Sequence, residues 1–196
     1  MHSIEPSFAE LGDLSRYAPL NVNLEFVSAL QNHLSQKEYV LLHENTLDDV
    51  TSFGAHLLTK DFKTKPRIVA LSSTHQSQEL ISYYAEKIEE LVQETSQRIA
   101  VIGIGNGSAA CTKESLFGQK EAGVEFEKKL SRNIASLDDE SLQKLFEMSA
   151  GAYQDIMIPL AYLYYITKSH EPDFLSQSPV HAMGVMTHTI HINLRS

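Results

Sequence analysis

A glycine-rich turn, Gly103-Ile104-Gly105-Asn106-Gly107-Ser108, lies directly behind the apolar run Arg98-Ile99-Ala100-Val101-Ile102. The run lacks alternation between apolar and polar residues, the pattern of a strand covered on both faces. Such a strand needs helices to cover it, and the chain supplies them. Two more short apolar runs precede it, Tyr39 to Leu42 and Arg67 to Leu71. Between these, Leu47, Val50, Phe53, Leu57 and Leu58 form one helical face behind the capping-box spacing of Thr46 and Asp49. A longer helix carries Leu80, Ile81, Tyr84, Ile88, Leu91 and Val92 on a 3.6-residue period, opened by Ser73 and Gln76. Upstream, Pro19 to Val22 reads as a short extended segment, and Asn23 caps a helix bearing Val27, Leu30 and Leu34. Strands alternating with helices predict a parallel sheet with right-handed crossovers. The expected fold class is therefore α/β, a three-layer Rossmann-like parallel sheet.

Beyond Gly107 the character changes. Thr112 to about Ile166 reads as mainly helical, with Ser136 and Asp139 as a further cap signal. His170 to Pro179 reads as a loop, and Val185 to Leu194 alternates like a terminal strand. The expected organisation is a Rossmann-like α/β region over residues 1–111. A helical extension with a C-terminal strand follows over 112–196, packed with the first part as one domain.

Charge narrows the choice of partners. With 16 basic against 25 acidic residues the net charge is −9, and no dense basic run exists to neutralise a phosphate backbone. Nucleic acid is not expected as a partner. The longest apolar run, Ile156 to Ile166, contains Pro159 and falls short of the roughly 20 residues needed to cross a bilayer, so no membrane role is expected. A single cysteine, Cys111, and acidic residues at Glu5, Glu10 and Asp13 predict a cytoplasmic protein without a signal peptide.

Glycines at the end of a strand let the backbone turn tightly and approach a ligand without interference from Cβ. The N–H groups of the turn and of the next helix would then face an anion, and Ser108 would add a hydroxyl. This predicts a pocket for a nucleotide or phosphosugar around Gly105, Asn106, Gly107 and Ser108. The alternative is that the glycines relieve crowding where strand and helix meet.

The order of landmarks from Arg16 to Cys111 resembles the N-terminal half of dehydroquinate synthase and related sugar-phosphate cyclases. Tyr17-Ala-Pro-Leu-Asn-Val22 matches a "Tyr-Pro" strand, and Tyr39-Val-Leu-Leu-His-Glu-Asn45 a strand ending in an Asp-Glu-Asn-like turn. Ser73-Thr-His-Gln-Ser-Gln78 stands where the family has Gly-Glu-x-x-Lys, and Ile99 to Gly107 where it runs into three glycines. The resemblance implies an NAD-type cofactor site, adding Glu44, Asn45 and His75 to the turn residues as ligand contacts. The family's glutamate and lysine are replaced by His75 and Gln78, its aspartate after the glycines by Cys111, and the 85 or so residues after Cys111 cannot supply its catalytic domain. The expected function is thus a nucleotide- or phosphosugar-binding protein that does not run the cyclase reaction alone. Two alternatives stand beside it: a non-enzymatic partner subunit that kept the fold without the cofactor, and an enzyme of another family sharing only the turn.

Other chemistry-bearing residues read as structural. On one continuous strand His188 and His191 would point to opposite faces, and His181 would lie about 33 Å from His191, so no mononuclear metal site is expected. Cys111, in the first turn of an expected helix, is either an activated thiol or a buried structural one. The tyrosine-rich helix from Tyr153 to Tyr165 is a core element and the expected contact of a homodimer or a partner chain.

Overall fold

The computed structural model describes residues 3–4, 20–34, 62–71, 77–170, 173–176, 180–182, 184–188 and 190–193. The chain divides into two compact units, Met1–Thr74 and His75–Ser196.

In the first unit a short strand β1 (Ser3–Ile4) pairs antiparallel with β2 (Leu20–Asn21). Val22 then forms a parallel bridge with Ile68, through Asn23 N–H to the Ile68 carbonyl at 2.9 Å and Ile68 N–H to the Asn21 carbonyl at 2.7 Å. Helix α1 (Leu24–His33) starts where the sequence places it, because the Asn23 side chain accepts from the Phe26 N–H at 3.4 Å. Among the described residues Arg67 to Leu71, expected as a full strand, pairs only at Ile68, and Leu71 is 53% exposed. The expected strand Tyr39 to Leu42 and the helix behind Thr46 lie outside the described residues.

The described residues of the second unit are built on four α-helices: α2 (Gln78–Glu94), α3 (Glu121–Asn133), α4 (Asp139–Ser149) and α5 (Met157–Thr167). Ser77 caps α2, its hydroxyl accepting from Leu80 N–H at 3.2 Å, and Ile81, Ala85, Ile88 and Leu91 are buried at helical spacing. The expected opening at Ser73 and Gln76 lies outside the described residues. Helix α4 begins three residues beyond Ser136, which closes a 3₁₀ turn (Ile134–Ser136) instead. Asp138 is the cap. Asp138 N–H donates to the Ser141 hydroxyl at 2.9 Å, and the carboxylate accepts from that hydroxyl at 2.6 Å and from Ser141 N–H at 2.7 Å, two bonds that hold the Asp138 carboxyl below its usual range. Pro159 sits in the first turn of α5, where its missing N–H costs no helical bond.

Helix α5 is apolar around most of its circumference and forms the centre of the unit. Met157, Leu160, Ala161 and Tyr164 pack with Phe126 and Leu130 of α3, Leu142 and Leu145 of α4, and Ile81 of α2. Burial pushes the Tyr164 hydroxyl well above its usual range, with Asp139 adding to the effect.

Three expectations change here. Residues 98–102 form no strand among the described residues, and Val101 and Ile102 stay 41% and 54% exposed. A strand exists only where a neighbour completes its ladder, and none of the described residues provides one. Residues 109–117 are turns and bends and 118–120 are irregular, so the helix expected from Thr112 begins at Glu121. The expected terminal strand is two: β5 (Val185–Thr187) pairs with β4 (Val180–Ala182), while β6 (Ile190–Asn193) pairs with β3 (Asp173–Ser176), which lies inside the expected loop. Both pairs are antiparallel. Gly184 makes the turn between β4 and β5 at φ +83°, a conformation that favours glycine. The described residues therefore form a mixed α/β protein, mostly helical with few strands, and the layered parallel sheet is not among them. None of the described helices is long and apolar enough to cross a membrane.

Candidate functional site

Gly105 to Ser108 lie between the 153–156 segment, α3 and β5, because the two glycines allow backbone contact on both sides. A Cβ on Gly105 would come within 2.8 Å of both the Asp155 carbonyl oxygen and the Ile156 Cα. At Gly107 it would meet a Glu127 carboxylate oxygen at 2.7 Å and the Met186 carbonyl at 2.9 Å. No side chain fits either position without displacing a neighbour.

The N–H groups of this turn are engaged inside the protein. Asn106 N–H donates to the exposed Asp155 carboxylate, and the Asn106 side-chain amide reaches the other carboxylate oxygen at 3.4 Å. In return the Asn106 carbonyl accepts from Asp155 N–H at 3.1 Å and Ile156 N–H at 3.0 Å. Gly107 N–H donates to the Met186 carbonyl at 2.9 Å. Ser108 N–H donates to Glu127 Oε1 at 2.5 Å. Two carboxylates and a carbonyl thus stand where a bound anion would accept from these amides.

Glu127 also holds a histidine. Its Oε2 lies 2.6 Å from His188 Nε2, and the side chains are 9% and 1% exposed. The pair joins α3 to the residue that follows β5, and one carboxylate spans both the turn and the C-terminal segment. The Ser108 hydroxyl is fully buried, donates to the Ala152 carbonyl at 2.7 Å and accepts from Ala110 N–H at 3.0 Å. It is not bonded to His188, so the two do not form a nucleophile–base relay. Cys111 is buried, 3.6 Å from the Ser108 carbonyl and 3.7 Å from the Ser115 hydroxyl. Burial raises its thiol pKa, against a smaller opposing effect of the Ser115 bond. That is the environment of a structural thiol rather than an activated one.

Of the residues read as ligand contacts, Gly105, Asn106, Gly107 and Ser108 are together in this turn, while Glu44, Asn45 and His75 lie outside the described residues. Sequence reasoning missed Glu127 and Asp155. Glu127 had a signal: with Gly123, Phe126 and Leu130 it lies at positions i, i+3, i+4 and i+7, all of them buried. A carboxylate on an apolar stripe requires a buried partner. Asp155, in an irregular segment far along the chain, carried no comparable signal. The strand-alternation argument for His188 fails because β5 ends at Thr187. Among the described residues no three His, Cys, Asp or Glu side chains cluster as metal ligands.

No protein-family model matches the sequence, and no curated protein matches it.

Proposed function

We propose that this chain is a non-catalytic interaction protein, a partner subunit whose glycine turn works as an internal clasp rather than a cofactor cradle. The observation that carries this reading is the engagement of three successive amides, Asn106, Gly107 and Ser108, by Asp155, Met186 and Glu127. A nucleotide phosphate or a phosphosugar would need those donors, and would have to displace a buried carboxylate already bonded to His188. The resemblance to the nucleotide-binding half of the sugar-phosphate cyclases belongs to the same proposal, as an ancestry whose cofactor chemistry is gone. A cytoplasmic setting suits the buried, reduced Cys111.

Thermal unfolding tests the proposal directly. Millimolar NAD, ADP or ribose 5-phosphate should leave the melting temperature unchanged. A ligand at one hundred times its dissociation constant adds about 2.7 kcal/mol, or roughly 5–11 °C for a chain of this size. A shift of that order with any of the three returns the turn to the small-molecule reading.

The finer fold, a Rossmann-like parallel sheet in three layers, is part of the proposal. Its support is the parallel bridge Val22–Ile68, a parallel pairing between two segments that the sequence reads as extended. Amide hydrogen exchange checks it: the Asn23 and Ile68 amides, which make the parallel bridge, are expected to show protection comparable to that of α5. Exchange at the rate of an open loop would leave only the helical unit.

A further inference from the structure

We infer that Asn106 is a deamidation site held shut by the glycine turn, so that its conversion follows the opening of the clasp and then prevents its closing. The site needs only the bonds of the turn and does not depend on the chain's being a partner subunit. Asn106-Gly107 is the one Asn-Gly pair in the chain. The reaction requires the Gly107 nitrogen to give up its proton and attack Cγ, the side-chain carbonyl carbon of Asn106. A five-membered succinimide forms as the Cγ–Nδ2 bond breaks and ammonia leaves with that proton. Water then opens the ring at either carbonyl. Cleavage at Cγ gives aspartate, and cleavage at the main-chain carbon gives isoaspartate, with the backbone rerouted through Cβ. Glycine at the following position has no Cβ to hinder the approach. Asn106 is only half-buried and its amide lies against the exposed Asp155, so water reaches it.

The folded turn blocks the first step at both reacting groups. Gly107 is buried, and its N–H is donated to the Met186 carbonyl of β5 at 2.9 Å. The Asn106 side-chain amide is drawn to Asp155 Oδ2 at 3.4 Å. Ring closure also rotates the peptide between them, and the Asn106 carbonyl is fixed by the N–H groups of Asp155 and Ile156 at 3.1 and 3.0 Å. The reaction therefore waits for β5 and the 153–156 segment to come off the turn, a local opening rather than global unfolding. Neither product fits back. Aspartate sets a second carboxylate against that of Asp155, where the amide had donated. Isoaspartate adds a methylene to the main chain between 106 and 107. The Gly107 and Ser108 amides then cannot both return to Met186 and Glu127, which they meet at 2.9 and 2.5 Å. Because neither product reverts to asparagine, the modification records how often the clasp has opened.

The test incubates the full chain in mildly alkaline buffer and follows the tryptic peptide 99–113 by mass spectrometry, which reads the exchange of NH for O at Asn106. Fragmentation across the 106–107 bond tells isoaspartate from aspartate. In guanidinium chloride Asn106 should convert, and in the folded chain it should convert at least about tenfold more slowly, the closed turn withholding it. Asp155→Ala changes an exposed residue and leaves Glu127 and His188 in place. That variant should stay folded by circular dichroism and convert faster than the parent. The deamidated protein and Asn106→Asp should both melt below the parent. An absence of conversion in guanidinium chloride overturns the site. Conversion as fast in the folded chain as in the unfolded one, or an Asp155→Ala variant no faster than the parent, overturns the gate. A deamidated chain that melts like the parent would show that the clasp closes again, against the irreversible opening inferred here.

Discussion

Replacing Glu127 with alanine should destabilise the second unit by about 3–5 kcal/mol, the range for removing one member of a buried charged pair. The reason is the number of groups that depend on this one carboxylate. His188 loses the partner of its Nε2 at 2.6 Å, with a side chain only 1% exposed. The Ser108 N–H loses its acceptor at 2.5 Å in a residue with no solvent access. Each orphaned buried group costs about 1–3 kcal/mol in its own right. The carboxylate oxygen that stands against Gly107 goes too. In a chain of this size the loss corresponds to a fall in melting temperature of about 6–20 °C. Urea unfolding of Glu127→Ala, His188→Ala and the double variant measures it. The double variant should cost less than the sum of the singles, because it leaves neither member of the pair orphaned and only the Ser108 N–H without its acceptor. A single variant within about 1 kcal/mol of the parent would mean that the pair is not made and that the clasp does not hold the turn.

That prediction rests on contacts which the sequence carried unevenly. Helix α1 and its Asn23 cap were legible because the cap bond and the apolar spacing are both local. The same holds for α2, apart from its cap at Ser77. Local signals failed where two candidates competed: Ser136 looked like a cap, yet Asp138 has the reciprocal partner Ser141 three residues on, and the reciprocal pair wins. The strand reading of 98–102 needed neighbours that apolar composition cannot guarantee. The glycine turn was legible as a place of close approach, but not as to what approaches. Gly103 lies against Pro159 and Leu163, Gly105 against Asp155 and Ile156, and Gly107 against Glu127 and Met186, all more than 15 residues away in sequence. A turn that cradles a ligand and one that cradles its own chain need the same glycines. What separates them here is the buried Glu127, whose place on the inner face of α3 was the one readable clue.

Gly123→Ala should destabilise the protein, although helix propensity alone says the reverse. Gly123 is the third residue of α3, and inside a helix alanine is favoured over glycine by up to about 1 kcal/mol. Against that stands the turn. An added Cβ would lie 2.5 Å from the Ala110 carbonyl oxygen, 2.6 Å from its carbon and 2.6 Å from the Ser108 hydroxyl. Two of those atoms are backbone, so no rotamer change relieves the contact. Helix α3 would have to move away from residues 108–110, lengthening the Lys120 N–H bond to the Ala110 carbonyl at 2.8 Å and the Glu127 bond to Ser108 N–H. Overpacking of this kind costs about 1–3 kcal/mol, and here it loosens the buried clasp in the same movement, so the net sign is unfavourable. Ser108→Gly should not rescue the variant, since the carbonyl remains in place after the hydroxyl is gone. Urea midpoints for the two single variants and the double decide the matter. An unchanged or raised midpoint for Gly123→Ala would mean that α3 does not approach the turn, and Glu127 could then not reach the amides on which the clasp depends.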